Sequence, residues 1–234
     1  MTTLSPASTR RRAVLIGFAP FATVALVHLV AKAAGAVDLD HATKPLLMPA
    51  LAIPVVLAAR RGPVLPLVAA LLAVLFSWLG DLTIGELVVG LAFFLVAHLA
   101  YSTLFLTAFR RRVSWWALAY LGWWIALVAA LWPYLGGLRI PVIVYGLVLG
   151  ATAALATRGN VGTTLGGLAF VASDTLLGLR LFTPWLQGRA ADVVIMALYL
   201  AAQTLIVLGL LRRTRAAGPV PDARPRLDAW QTRS

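Results

Sequence analysis

Residues 60–112 read RRGPVLPLVAALLAVLFSWLGDLTIGELVVGLAFFLVAHLAYSTLFLTAFRRR, and this stretch decides the fold. Two apolar runs, 63–82 and 86–109, lie between an arginine pair and an arginine triplet. A helix rising ~1.5 Å per residue needs about 20 mostly apolar residues to cross a hydrocarbon core ~30 Å thick, and each run has them. The link between the runs is short, so the chain crosses and comes straight back. Arginines at both returning ends hold those ends in the cytoplasm by the positive-inside rule.

The same ruler, moved outward, finds further spans at 13–34, 44–59, 113–132, 138–157, 162–182 and 191–211. The second span of the eight is short and carries Pro45, Pro49 and Pro54, which predicts a kinked or tilted segment. Around a transmembrane domain 13–211, residues 1–12 read as a cytoplasmic tail and 212–234 as a disordered cytoplasmic tail, because neither can bury apolar surface. With the N-terminus inside, fifteen of the 20 basic residues are cytoplasmic. Lys32, Lys44, Arg139, Arg180 and Arg189 fall outside. Seven or nine spans would break this alternation. The expected fold is an all-α polytopic membrane bundle of about eight transmembrane helices with both termini cytoplasmic.

Composition excludes other classes. The chain is 61% hydrophobic and 12% charged, whereas soluble domains average about 45–50% and roughly 25%. Without cysteine there are no disulfides and no thiolate metal sites. A net charge of +12 would suit nucleic acid. The basic residues instead sit in short loops beside apolar runs, so no nucleic-acid partner is expected. Arg10, Arg11 and Arg12 before an apolar run resemble a secretory signal, yet no small-residue cleavage site follows, and the run reads as the first span. Trp115, Trp116, Trp123, Trp124 and Trp132 lie mostly towards the ends of span five, as interfacial anchors do.

An ionisable side chain at membrane depth costs at least ~2.5–3.5 kcal/mol on insertion scales, so each one is a functional candidate. Asp81 and Asp174 lie roughly 30 and 24 Å of helix rise beyond Arg61 and Arg158, which puts both in the outer half. Ser173 flanks Asp174. His98 and Tyr101 share a face of span four, and Tyr199 and Gln203 share one of span eight. Lys44 opens span two at the outer surface, as an interface anchor or a phosphate ligand. His28 reads as a packing residue, and Glu86 and Asp192 as loop charges. His28, His41 and His98 show no paired spacing, so no metal is expected. DLTIG at 81–85 and DTLLG at 174–178, four spans apart, raise a possible 4+4 parallel repeat with its carboxylates paired.

Five runs resemble the YhhN-like lysoplasmalogenase family: KPLLMPAL from Lys44, FSWLGD ending at Asp81, FFLVAHLAYSTLF through His98 and Tyr101, GGLAFVASDTLLGLRLF through Asp174, and YLAAQTLI through Tyr199 and Gln203. They stand in the expected order across spans two to eight. The link 82–85 is shorter than is usual in that family. The resemblance implies a multi-pass enzyme that hydrolyses the vinyl ether bond of a single-chain lysophospholipid, releasing a fatty aldehyde and a glycerophospho-headgroup.

That reaction is limited by protonating the β-carbon, which leaves an oxocarbenium ion for water to attack. It asks for a carboxylic acid that still holds its proton near neutral pH and a second group to stabilise the cation, much as in glycosidases. Low-dielectric surroundings and a neighbouring carboxylate supply the first condition. Asp174 is the expected acid and Asp81 its charged partner, with the roles interchangeable. His98, Tyr101, Ser173, Tyr199 and Gln203 would complete a polar shell, Lys44 would meet the phosphate, and no cofactor is required. A proton-coupled transporter or lipid scramblase is the competing class, since such proteins also carry intramembrane carboxylates. A bacterial inner membrane is the expected location.

Overall fold

A computed structural model describes residues 16–59 and 63–216. The 1–12 tail, Arg60, Arg61 and residues 217–234 lie outside it. The described residues form helices and no strand: α1 Ala19–Ala34, α2 Val37–Ala59, α3 Val64–Thr83, α4 Leu87–Ala108, α5 Trp115–Tyr134, α6 Arg139–Ala156, α7 Val161–Phe182 and α8 Arg189–Ala216. Seven of these are long and apolar enough to cross a membrane. The eighth, α1, has 16 residues, and its expected start at 13 lies outside the described chain. The protein is an integral membrane bundle. Its exterior is correspondingly apolar: Leu65, Leu118, Ile140 and Val161 all point outward, a surface that only lipid makes tolerable.

The second helix begins seven residues before its expected start at 44. Asp38 and Asp40 occupy its first turn, where carboxylates complement the helix's positive end. Asp40 also pairs with Lys32 of α1 at 2.9 Å, which makes charge acceptable at this depth. Helical turns run on through all three prolines. Each proline lacks an N–H and so strands the carbonyl four residues earlier. Pro49 strands that of Pro45, and the Trp78 indole of α3 donates to it at 2.8 Å. The tight turn between α1 and α2 rests on Gly35, whose φ of 73° lies in the left-handed region that glycine enters freely.

Helices α3 with α4, and α7 with α8, form the two most closely packed hairpins, at equivalent places in the two halves. In α7, Gly166 lets α8 approach so closely that a Cβ there would lie 2.6 Å from Ile206 Cγ1 and 3.1 Å from the Ala202 carbonyl. Small residues at such crossings are how membrane helices gain packing without a hydrophobic driving force. Asn160 caps α7 by accepting from the Thr163 N–H, and its amide donates to the Gly209 carbonyl of α8 at 2.8 Å.

Two expectations change. The indoles of Trp123 and Trp124 point into the bundle, donating to Thr175 Oγ1 at 2.9 Å and to the Ile143 carbonyl at 3.0 Å. A buried N–H needs a partner, so these two lock α5 to α7 and α6 instead of anchoring at the interface. Trp115 is exposed, and Trp132 lies under the Arg139 guanidinium, 4.5 Å from its ring centroid. The last helix also continues to Ala216, past the expected end of its span.

Candidate active site

At the end of the bundle where α1 turns into α2, α3 into α4, and α7 into α8, the helices enclose a cavity of about 220 Å³. Asp81, Asp174, His98, Ser173, Tyr199 and Lys44 all line it. Asp81 sits in the last turn of α3, only 9% exposed, and Asp174 near the middle of α7. A single chain segment supplies neither wall. The two carboxylates come from hairpins four helices apart and face one space.

Each carboxylate has a tyrosine. Tyr199 of α8 donates to Asp81 Oδ2 at 2.9 Å. Tyr145 of α6 donates to Asp174 Oδ2, and its oxygen also lies 3.3 Å from His98 Nε2 of α4. Which of the phenol and the imidazole donates in this second contact depends on the tautomer of His98. Either way, a chain of hydrogen bonds runs from His98 through Tyr145 to Asp174. His98 Nε2 is also 3.9 Å from Asp174 Oδ2, and its buried Nδ1 has no partner among the described residues. Asp81 of α3 thus reaches α8, while Asp174 of α7 reaches α4.

Phe170 of α7 forms the floor, its ring centroid 5.2 Å from that of His98 and 6.0 Å from that of Tyr199. Tyr101 and Gln203 lie one helical turn further in. They bond each other, Tyr101 donating to Gln203 Oε1, and neither lines the cavity. Ser173 lines it but spends its hydroxyl proton on the Ile195 carbonyl at 3.0 Å, tying α7 to α8. The five residues expected as one polar shell therefore divide. His98, Ser173 and Tyr199 line the cavity, whereas Tyr101 and Gln203 form a buried polar layer behind its floor.

The mouth is charged. Lys44 borders the cavity and makes no ion pair or hydrogen bond among the described residues. Lys32 borders it too, held by Asp40, and Asp192 is held by Arg180 at 3.0 Å. His28, fully buried, bonds Thr43 at 2.9 Å and approaches Asp40 at 3.2 Å, so it stiffens the α1–α2 corner. Among the described residues, no three histidine or acidic side chains converge as a metal would require.

Sequence reasoning missed Tyr145 and Lys32. Tyr145 lies in the middle of an apolar span, and a phenol at that depth needs a partner. That was the signal available, and its weakness is that tyrosines are common at membrane interfaces.

Comparison with known proteins bears on this site. A family model described as the YhhN family matches residues 39–210. Proteins named Lysoplasmalogenase from Mycobacterium bovis and Mycobacterium tuberculosis are each 36% identical over 136 residues, covering 52% of this chain and 50% of theirs. The chain thus spans about half the length of the curated relatives it matches. No solved structure matches it.

Proposed function

The chain belongs to the YhhN family, and from that premise we propose that it is a membrane hydrolase that cleaves the vinyl ether bond of lysoplasmalogens or a closely related lysophospholipid. The observation that carries this reading is the convergence of Asp81 and Asp174, from separate hairpins, on one cavity bordered by a lysine that makes no hydrogen bond or ion pair among the described residues. The relatives' names point the same way.

The chemistry divides among the residues as follows. Asp174, protonated, gives its proton to the β-carbon of the vinyl ether, and the electron pair of the double bond forms the new C–H bond. The α-carbon and its ether oxygen then share a positive charge, which the Asp81 carboxylate opposes across the cavity. Water adds to the α-carbon and loses a proton to a carboxylate. The resulting hemiacetal collapses to a fatty aldehyde and a glycerol hydroxyl, with a proton passed to the departing oxygen. Tyr145, with His98 behind it, orients the Asp174 carboxyl, and Tyr199 fixes that of Asp81. Lys44 meets the headgroup phosphate. The site opens on the outer side of a bacterial cytoplasmic membrane.

The test is to incubate purified protein with lysoplasmalogen in deuterated, oxygen-18-labelled water and examine the products by mass spectrometry. The expected aldehyde carries one deuterium beside its carbonyl and the labelled oxygen on it. Aldehyde without the deuterium, or labelled oxygen in the glycerol hydroxyl of the other product, would overturn the mechanism. Lipid movement across reconstituted vesicles without any aldehyde would point to a transporter instead.

A further inference from the structure

A second, apolar space adjoins the catalytic cavity. Ile84, Phe94, Tyr145, Asp174 and Leu177 line both, so the two adjoin beside the Asp174 carboxyl. From there the second space runs between α4 and α5, over a floor of α6 and α7. Helices α4 and α5 scarcely pack against each other, so the bundle has a seam along this line. The far wall is Leu91 on one side and Trp123 and Leu127 on the other, with Trp123 fixed by its bond to Thr175. Most of the lining belongs to the outer half of its helix by the topology above, with Trp123 and Leu149 just past the midpoints of α5 and α6. The free space is small, about 60 Å³, too little for two chains side by side.

We propose that this groove is the binding subsite for the hydrocarbon chain of a single-chain lipid, and that it opens sideways into the outer leaflet. Its occupant follows from what lies at either end. Lys44 and Lys32 border the polar cavity, whereas the groove is walled by leucine, phenylalanine and tryptophan. A molecule filling both is an amphiphile with a phosphate at one end and one chain at the other, and its head-to-chain junction then lies at Asp174. Two exits with opposite solvent preference follow. On the catalytic reading, the aldehyde leaves through the seam into lipid, while the headgroup leaves through the charged mouth into water. The chain subsite itself does not depend on that reading.

Gly178 offers a way to close the groove without breaking the bundle. It lines the groove, and a Cβ there would meet only Leu131 Cδ1, at 3.4 Å, an ordinary contact. Gly178→Leu therefore fills the space, and Gly178→Ala barely narrows it. The experiment uses a non-hydrolysable ether lysophospholipid with a diazirine at its chain end, cross-linked to the purified protein and mapped by peptide mass spectrometry. Labels are expected on Leu91, Trp123 or Leu127, unchanged in Gly178→Ala and reduced by about tenfold or more in Gly178→Leu, as for a filled hydrophobic pocket. A diacyl phospholipid with the same probe should not label them. Where Gly178→Leu fails to fold, Leu127→Trp blocks the same passage from the opposite wall. Lysoplasmalogens of graded chain length are assayed in parallel, and the blocked variant should lose the long chains first. Labels confined to other surfaces, or labelling and chain-length profiles indifferent to the block, overturn the groove even if hydrolysis proceeds. Groove labelling that the block removes, with no aldehyde from any substrate, upholds the subsite and overturns the catalytic reading.

Discussion

Tyr145→Phe isolates the residue that the fold adds to the two aspartates. The ring keeps its volume, so no cavity opens, and the loss is confined to the hydroxyl bonded to Asp174 and placed 3.3 Å from His98. A hydrogen bond to a carboxylate is worth ~1.5–3 kcal/mol. At ~1.4 kcal/mol per tenfold in rate, that predicts a fall in kcat of about 10- to 150-fold if the bond orients the acid in the transition state. KM should stay near the wild-type value, because the hydroxyl touches neither phosphate ligand nor chain. The assay is aldehyde release coupled to a dehydrogenase, with thermal unfolding in detergent measured alongside. Tyr101→Phe is the control: it removes a buried hydroxyl, bonded to Gln203 behind the cavity floor. Both variants should lose stability, by ~1–3 kcal/mol for the unpaired buried group each leaves. Only Tyr145→Phe should lose the larger part of its rate. Equal rate losses in the two would refute the relay, as would a Tyr145→Phe enzyme within about threefold of wild type, since that is under 1 kcal/mol.

Further outcomes follow from the same geometry. Asp81→Asn and Asp174→Asn should each lower kcat by about 100-fold or more while the protein stays folded by circular dichroism, the scale on which losing a general acid or an electrostatic stabiliser is felt; wild-type rates in both would remove the mechanism. Lys44→Gln should raise KM by roughly tenfold for a phosphate-bearing substrate, about the value of one charge-assisted hydrogen bond, and leave a 1-alkenylglycerol without phosphate unaffected. Trp78→Phe strands the Pro45 carbonyl and should cost ~1 kcal/mol of stability, read as a lower unfolding temperature with kcat intact. Gly166→Val should cut the yield of folded protein sharply, because its Cβ would start 2.6 Å from Ile206 Cγ1; ordinary yield and unfolding temperature would contradict the α7–α8 crossing.

The sequence by itself determined the membrane fold, the number of helices and, to within a few residues, most of their limits. Lipid imposes a length and polarity rule on each segment separately, so runs such as 63–82 can be judged without knowing what they touch. It also marked Asp81, Asp174 and His98, because a polar group at membrane depth is costly wherever its neighbours lie. What it did not determine are the relations between helices. Trp123 and Trp124 read as interface anchors until their N–H groups were seen to meet Thr175 and the Ile143 carbonyl. Tyr145 was one phenol in an apolar run until α6 set it between His98 and Asp174. Tyr101 and Gln203, which spacing put in the polar shell, bond each other behind the cavity floor. Which hydroxyl bonds which carboxylate depends on how helices distant in the chain pack against one another, and no rule local to one span encodes that.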